Sequence, residues 1–173
     1  MSVAKRSYCY MCASILEQKS EHSWWCPVCR YTQYENPKPA AEIAVLRDDK
    51  VLISKRGIEP RKGQYDLPGG FIEYTETAEQ AILREMREEL SIRPSDITSL
   101  SYLRSFNATY PFGNEVYRVL VVVFAAQLKD GAKVIAQDDV AKVEWVTKSQ
   151  LDLVDWALPE HKENAIAALN STI

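Results

Sequence analysis

Gly70-Phe-Ile-Glu-Tyr-Thr-Glu76-Thr-Ala-Glu-Gln-Ala-Ile-Leu-Arg84-Glu85-Met-Arg-Glu88-Glu89-Leu90-Ser91-Ile92 is the stretch on which the reading of the fold turns. Thr77 with Gln80 three residues on is a capping-box pattern, so a helix is predicted over 77–90. At about 100° per residue, Ala78, Ile82, Glu85 and Glu89 share one stripe, with Met86 beside them. Two carboxylates thus stand where an apolar face should continue. Glu88 lies one turn from Glu85, so three acids crowd a narrow arc. Like charges at these spacings destabilise a helix by about 0.2–0.5 kcal/mol per pair, and burial adds to the cost. Arg84 and Arg87 offer partial compensation. Divalent cations offer a fuller one, because Mg²⁺ and Mn²⁺ prefer hard oxygen ligands.

Working outward, Leu67-Pro68-Gly69-Gly70 runs into this helix, and paired glycines let backbone approach a ligand closely. Further upstream, apolar runs at 41–46 and 51–54 flank Arg47-Asp48-Asp49-Lys50, a hairpin signal. Residues 58–70, rich in Gly and Pro, read as loop. Downstream, 117–127 is rich in β-branched residues and reads as a central strand, and 143–146 as a short one. Pro159 opens a closing helix over 159–169. Strands on both sides of a helix predict an α/β layered domain.

The four cysteines all precede residue 30, as Cys9, Cys12, Cys26 and Cys29. Two C-x-x-C pairs offer four sulfurs to a tetrahedral Zn²⁺; two disulfides or a redox pair are the alternatives. A redox pair needs a βαβ context that residues 1–33 are too short to hold. A closed four-thiolate site stabilises a segment too small for its own core and leaves no position open for chemistry. Tyr34-Glu-Asn-Pro-Lys-Pro39 then reads as an extended linker. The division predicted is a zinc ribbon over 1–36 and a larger domain over 37–173.

The chain has 173 residues, 46% of them hydrophobic and 26% charged, which suits one globular domain plus a small module. With 21 basic and 24 acidic residues its net charge is −3, which disfavours a nucleic-acid partner. Its longest apolar run, 119–126, is too short to span a bilayer, and the N-terminus has no signal-peptide core. A cytoplasmic location without membrane contact is therefore expected, with reduced thiols. The two histidines, His22 and His161, lie in polar stretches and are expected exposed.

Gly70, five residues, Glu76, seven residues, then Arg84-Glu85-Met86-Arg87-Glu88-Glu89-Leu90-Ser91-Ile92 resembles the Nudix box, G-x5-E-x7-R-E-U-x-E-E-x-G-U with U aliphatic. Ser91 stands where the family has glycine, at the helix end, where a left-handed residue is favoured. The lead-in Gly63-Gln-Tyr65-Asp-Leu67 and the late segment Asp139-Val-Ala-Lys-Val-Glu-Trp145 also look like the family's. Together with the ribbon and Asn36-Pro37-Lys38-Pro39, they resemble Nudix hydrolases of the NADH diphosphatase and ADP-ribose pyrophosphatase kind.

The resemblance implies an α/β/α sandwich with a mixed sheet, preceded by the ribbon. It implies metal-dependent cleavage of a nucleoside diphosphate linked to another moiety, ADP-ribose or a dinucleotide such as NAD(H), with release of a nucleoside monophosphate. Glu85, Glu88 and Glu89, with the Gly70 carbonyl, are then the ligands of Mg²⁺ or Mn²⁺. Arg84 and Glu76 hold the loop–helix geometry. The general base is open between Glu88, Glu89 and a loop acid. Asp139 is the favoured loop acid, although it also reads as a solvated turn residue. Arg56 and Arg61 are candidate phosphate partners. Tyr110-Pro111-Phe112-Gly113 is expected to be a loop between two strands, whose Tyr110 and Phe112 either stack on a base or pack the sheet edge. A non-catalytic nucleotide sensor on the same fold is the alternative function. The oligomeric state is open, with a homodimer among the options.

Overall fold

The computed structural model describes residues 8–172, the side chain of Phe112 excepted. It divides into two compact units between Pro37 and Lys38. The smaller unit holds a three-stranded antiparallel sheet of β1 (Glu17–Ser20), β2 (Ser23–Trp25) and β3 (Thr32–Tyr34). Among the described residues its buried hydrophobic cluster is Cys9, Leu16, Trp24 and Cys26. So small a core needs a further cross-link to hold.

In the larger unit, β4 (Lys38–Arg47) and β5 (Lys50–Arg56) form the expected hairpin, with Asp48 at φ 54° in the tight turn. Then come β6 (Tyr65–Asp66), β7 (Gly69–Phe71), α1 (Ala78–Leu90), β8 (Ile97–Phe112), β9 (Glu115–Leu128), β10 (Val140–Thr147) and α2 (Pro159–Leu169). The sheet runs β10-β5-β4-β9-β8, with β6 added to β5 and β7 to β4. Only β4 and β9 run parallel along this path, so the sheet is mixed.

Alternation along β4 separates the two faces. Ala41, Ile43 and Val45 join Ile82, Met86 and Leu90 of α1 on one side. Ala44 and Leu46 join Ala165 and Ala168 of α2 on the other. The α/β/α layering expected from the sequence is thus present. Glu42 shares the α2 face with Ala44 and Leu46, and it is 4% exposed.

Several boundaries differ from the sequence expectations. Lys38 and Pro39 already pair with Val119 and Leu120, so the linker ends inside β4. The stretch 58–70 contains β6 and most of β7 rather than loop alone. Tyr110-Pro111-Phe112 is not a loop: it ends β8, paired with Tyr117, Val116 and Glu115, and the turn is Gly113-Asn114. Proline is tolerated there because β8 is the last strand of the sheet. No helix among the described residues is long and apolar enough to cross a membrane.

Candidate active site

Helix α1 is capped as its sequence predicts. The Gln80 amide donates to Thr77 Oγ1 and the Thr77 amide to Gln80 Oε1. At the other end Ser91 takes φ 58° and ψ 21°, the left-handed conformation that glycine adopts freely. Between these caps, Ile82 and Met86 are fully buried and Glu89 is 8% exposed. The acid intrusion into the apolar stripe is therefore real.

Two glycines let the β7 backbone come against these acids. A Cβ on Gly69 (φ 154°) would lie 2.2 Å from the Ala41 carbonyl oxygen. Gly69 N–H donates to Glu89 Oε2 at 3.1 Å. A Cβ on Gly70 would lie 2.2 Å from Glu85 Oε1. Arg84 binds the loop to the helix. It donates to both Glu76 oxygens at 2.8 and 3.0 Å, to Glu85 Oε1 at 2.7 Å, to Glu88 Oε2 at 3.2 Å and to the Phe71 carbonyl at 3.0 Å.

The electrostatics reflect crowding. Burial pushes the Glu89 carboxyl up to about 8, helped by Glu85, Asp66 and Asp139 and opposed by the Gly69 amide. Burial also raises Glu85, against the pull of Arg84. Two carboxyls that resist ionisation, Glu89 buried and Glu85 half-buried, are a suitable donor pair for a cation that would restore their charge. In this conformation the helix acids do not converge on one point. Among the described residues, only the four cysteine sulfurs form a group of three or more candidate metal-ligand atoms within 4.8 Å of one another.

These acids line a cleft of about 380 Å³. The cleft also gathers Gly70, Asp139, Arg56, Arg61 and Tyr110. The side chain of Phe112 lies outside the described residues. Tyr110 meets Phe71 edge-to-face at 5.7 Å between ring centroids. Beside them Ala40, Val119 and Val121 form an apolar wall. Arg56 donates to Asp66 Oδ2 at 2.8 Å and to the Pro60 carbonyl at 2.7 Å.

Three cleft residues escaped the sequence reading of the site. Asp66 accepts from Ser54 Oγ at 2.5 Å as well as from Arg56. Glu42 Oε2 lies 2.7 Å from His161 Nδ1, and Glu42 Oε1 accepts from Asn164 Nδ2 at 2.8 Å. The expectation that His161 is exposed is therefore corrected: its side chain is 12% exposed, whereas that of His22 is 56% exposed. Glu42 did leave a signal, as the single acid inside the apolar run 40–46. His161 left none, because its neighbours Glu160, Lys162 and Glu163 are all polar.

In the smaller unit the two C-x-x-C turns share one geometry. Cys9 N–H bonds the Ser14 carbonyl and Cys26 N–H the Tyr31 carbonyl, while Ala13 and Arg30 both take positive φ. The sulfurs are 3.6 Å apart between Cys9 and Cys29 and 3.5 Å between Cys12 and Cys26, and all four cysteines are free. A disulfide would bring the sulfurs to about 2.05 Å. Ser14 draws the Cys12 thiol down to about 6. At Cys29 the pull of the Tyr31 amide is outweighed by burial and the neighbouring sulfurs, which push the thiol up to about 12.

Comparison with known proteins places this arrangement. The family model described as NUDIX domain matches residues 36–169. The ADP-ribose pyrophosphatase of Methanocaldococcus jannaschii is 33% identical over 123 residues, covering 70% of this chain and 69% of that protein. The NAD-capped RNA hydrolase NudC of Pseudomonas aeruginosa is 29% identical over 147 residues, 83% of this chain and 49% of the relative. This chain thus spans about half the length of that relative. The crystal structure of a NUDIX hydrolase from Nitrosomonas europaea superposes with a TM-score of 0.66 at 24% identity, covering 91% of this chain and 87% of that one. With the box residues gathered on one capped helix beside a glycine turn, and a family match running from Asn36 to Leu169, the chain belongs to the NUDIX domain family.

Proposed function

We propose that this protein hydrolyses the diphosphate bond of a nucleoside diphosphate linked to a second moiety, ADP-ribose or a dinucleotide such as NAD(H), and releases a nucleoside monophosphate. The observation that carries the reading is one cleft lined both by the carboxylates Glu85, Glu88 and Glu89 and by an aromatic, apolar wall. The names of the two relatives, an ADP-ribose pyrophosphatase and a hydrolase of NAD-capped RNA, support the same substrate class.

Glu85, Glu88, Glu89 and the Gly70 carbonyl are the proposed holders of Mg²⁺ or Mn²⁺. Such a cation, when bound, neutralises diphosphate charge and lowers the pKa of its water. Arg84 keeps Glu85 and Glu88 aimed and the Phe71 turn closed on the helix. Gly69 N–H fixes Glu89. Asp139, on the loop facing Glu89, is the favoured acceptor for the proton of the attacking water, with Glu88 and Glu89 as the other candidates. Water adds to one phosphorus, the bridging P–O bond breaks, and two phosphomonoesters leave. Tyr110 is proposed to face the base, and Arg56 and Arg61 the phosphates. Phe112 keeps its proposed place in base binding.

The ribbon over residues 1–36 is proposed to hold one structural Zn²⁺ on Cys9, Cys12, Cys26 and Cys29, leaving 37–173 as the hydrolase domain. Tetrahedral Zn–S bonds of about 2.3 Å give sulfur–sulfur edges of about 3.8 Å, close to the spacing of the thiols here.

The test is a screen of purified protein with Mg²⁺ or Mn²⁺ against ADP-ribose, NAD(H), nucleotide sugars and nucleoside triphosphates, with products separated by chromatography. AMP from the first two is expected, with ¹⁸O from labelled water on one product phosphate. Preferred release of orthophosphate or pyrophosphate from triphosphates would overturn this substrate class.

A further inference from the structure

His161 has one ring nitrogen committed and one free. Nδ1 faces Glu42 Oε2 at 2.7 Å, and Asn164 Nδ2 holds the second oxygen of the same carboxylate. Nε2 has no hydrogen-bond partner among the described residues, yet it is not among the sealed polar atoms. His161, its side chain 12% exposed, is one of the residues that line the cleft. Two elements fix its place. Glu42 stands directly across the ladder from Gly69, whose amide holds Glu89, and Glu42 and Glu89 both line the cleft. His161 itself lies within the first turn of α2, which starts at Pro159.

Two of the three arginines of the cleft already carry partners, and the third, Arg61, is open to one of the phosphates. Arg84 serves Glu76, Glu85, Glu88 and the Phe71 carbonyl. Arg56 serves Asp66 and the Pro60 carbonyl. A diphosphate brings two anionic phosphates into a space already rich in carboxylates, and a phosphate lying off the acid end needs a donor from the protein. An imidazolium whose Nδ1–H is anchored by a buried carboxylate presents Nε2–H in a fixed direction, and a charge-assisted bond to phosphate is about twice as strong as a neutral one. Burial would lower the His161 pKa, but Glu42 outweighs it and Asp66 adds to the effect, so the ring holds its proton above the usual range.

We propose that His161, oriented by Glu42, is a phosphate-binding residue that donates Nε2–H to an oxygen of the substrate's diphosphate. The choice of ligand rests on the hydrolase reading above; the donor geometry does not. The class of ligand is a nucleoside diphosphate ester, and the bare nucleoside is the control that lacks the recognised group.

The experiment is calorimetric titration of the full-length protein, in EDTA, with ADP-ribose and separately with adenosine. His161→Ala is expected to weaken ADP-ribose about tenfold while changing adenosine less than twofold. Glu42→Gln is expected to weaken ADP-ribose in the same sense, about threefold to tenfold. His161→Gln keeps an amide to face Glu42, and it replaces His161→Ala if the latter melts early. It is expected to lose about threefold on ADP-ribose alone. Equal ADP-ribose affinity in wild type and variants, parallel loss of both ligands, or no ADP-ribose binding by wild type overturns the proposal. A wild type that binds through His161 but releases no AMP once Mg²⁺ or Mn²⁺ is added sinks the hydrolase reading and leaves the phosphate contact standing.

Discussion

Glu85 Oε1 occupies the space that a side chain on residue 70 would need: a Cβ built on Gly70 falls 2.2 Å from it. The obstacle is the far end of a flexible side chain, so Gly70→Ala should fold and simply push the Glu85 carboxylate aside. That movement also strains the 2.7 Å bond from Arg84. A misplacement of about 1 Å in a reacting group costs on the order of a hundredfold in rate. Gly70→Ala is therefore expected to lower kcat about a hundredfold with Tm nearly unchanged, read from steady-state kinetics beside a thermal melt. A fully active Gly70→Ala would show that the Glu85 position is immaterial.

Glu89 tests the acid end without moving backbone. Glu89→Gln keeps the side chain's shape and an acceptor for the Gly69 amide, but removes the capacity to ionise against a bound cation. It should lower kcat by on the order of a hundredfold or more. Because burial opposes ionisation of Glu89, the neutral amide should also melt no earlier than wild type. A variant with wild-type turnover would remove Glu89 from the proposed metal-binding set.

The ribbon makes a separate, elemental prediction. Purified protein should carry one zinc per chain, and Cys26→Ser should lose it. Cys26 is fully buried in a cluster of four residues, so losing the metal removes most of what holds that unit. Early proteolysis of the first 37 residues, with the larger unit left intact, is the expected readout. Zinc-free protein with an ordered N-terminal unit would refute the assignment.

What could be read in the sequence, and what could not, follows from the range of the interactions. Helix α1, its Thr77 cap and the αL position at Ser91 are local patterns, and the structure has them where the spacing puts them. The extent of edge strand β8 is not legible locally, because its alternation is broken by register shifts near Ile97–Ser99 and Tyr102–Arg104. The segment 110–112 reads as a loop from sequence because Pro111 and Gly113 are turn signals, which do not tell the end of an edge strand from a loop. The Glu42–His161 pair is separated by 119 positions, and no periodicity connects a sheet residue to a later helix. A lone acid in an apolar strand was the one legible half of that contact.

Ser91 offers a stability test at the family's departure from its own motif. The residue sits at φ 58°, where a side chain costs about 1 kcal/mol relative to glycine. Ser91→Gly should remove that strain and raise Tm by about 2–4 °C, with kcat unaltered, since no catalytic group moves. A lowered Tm would mean that the greater unfolded-state freedom of glycine outweighs the relief.

The His161–Glu42 pair should also give the larger unit a pH signature. Burial depresses the His161 pKa, the Glu42 carboxylate raises it more, and the net shift is upward from 6.5. A group whose pKa is raised on folding stabilises the native state fully below its unfolded value, and the gain fades as pH rises through the folded value. The group bonded to the ring is Glu42, itself held by Asn164, with Asp66 and Arg56 acting electrostatically on the ring. His161→Gln abolishes the titration while leaving these neighbours in place. A hydrogen bond to a charged group is worth about 1.5–3 kcal/mol. Wild type should therefore melt several degrees above His161→Gln near pH 6, and the gap should narrow steadily toward pH 9. Thermal melts of both proteins across that window, in one ionic strength, measure it directly. A gap that is constant or widens with pH would mean that His161 is neutral against Glu42, and the phosphate contact would then have to be made by an uncharged ring.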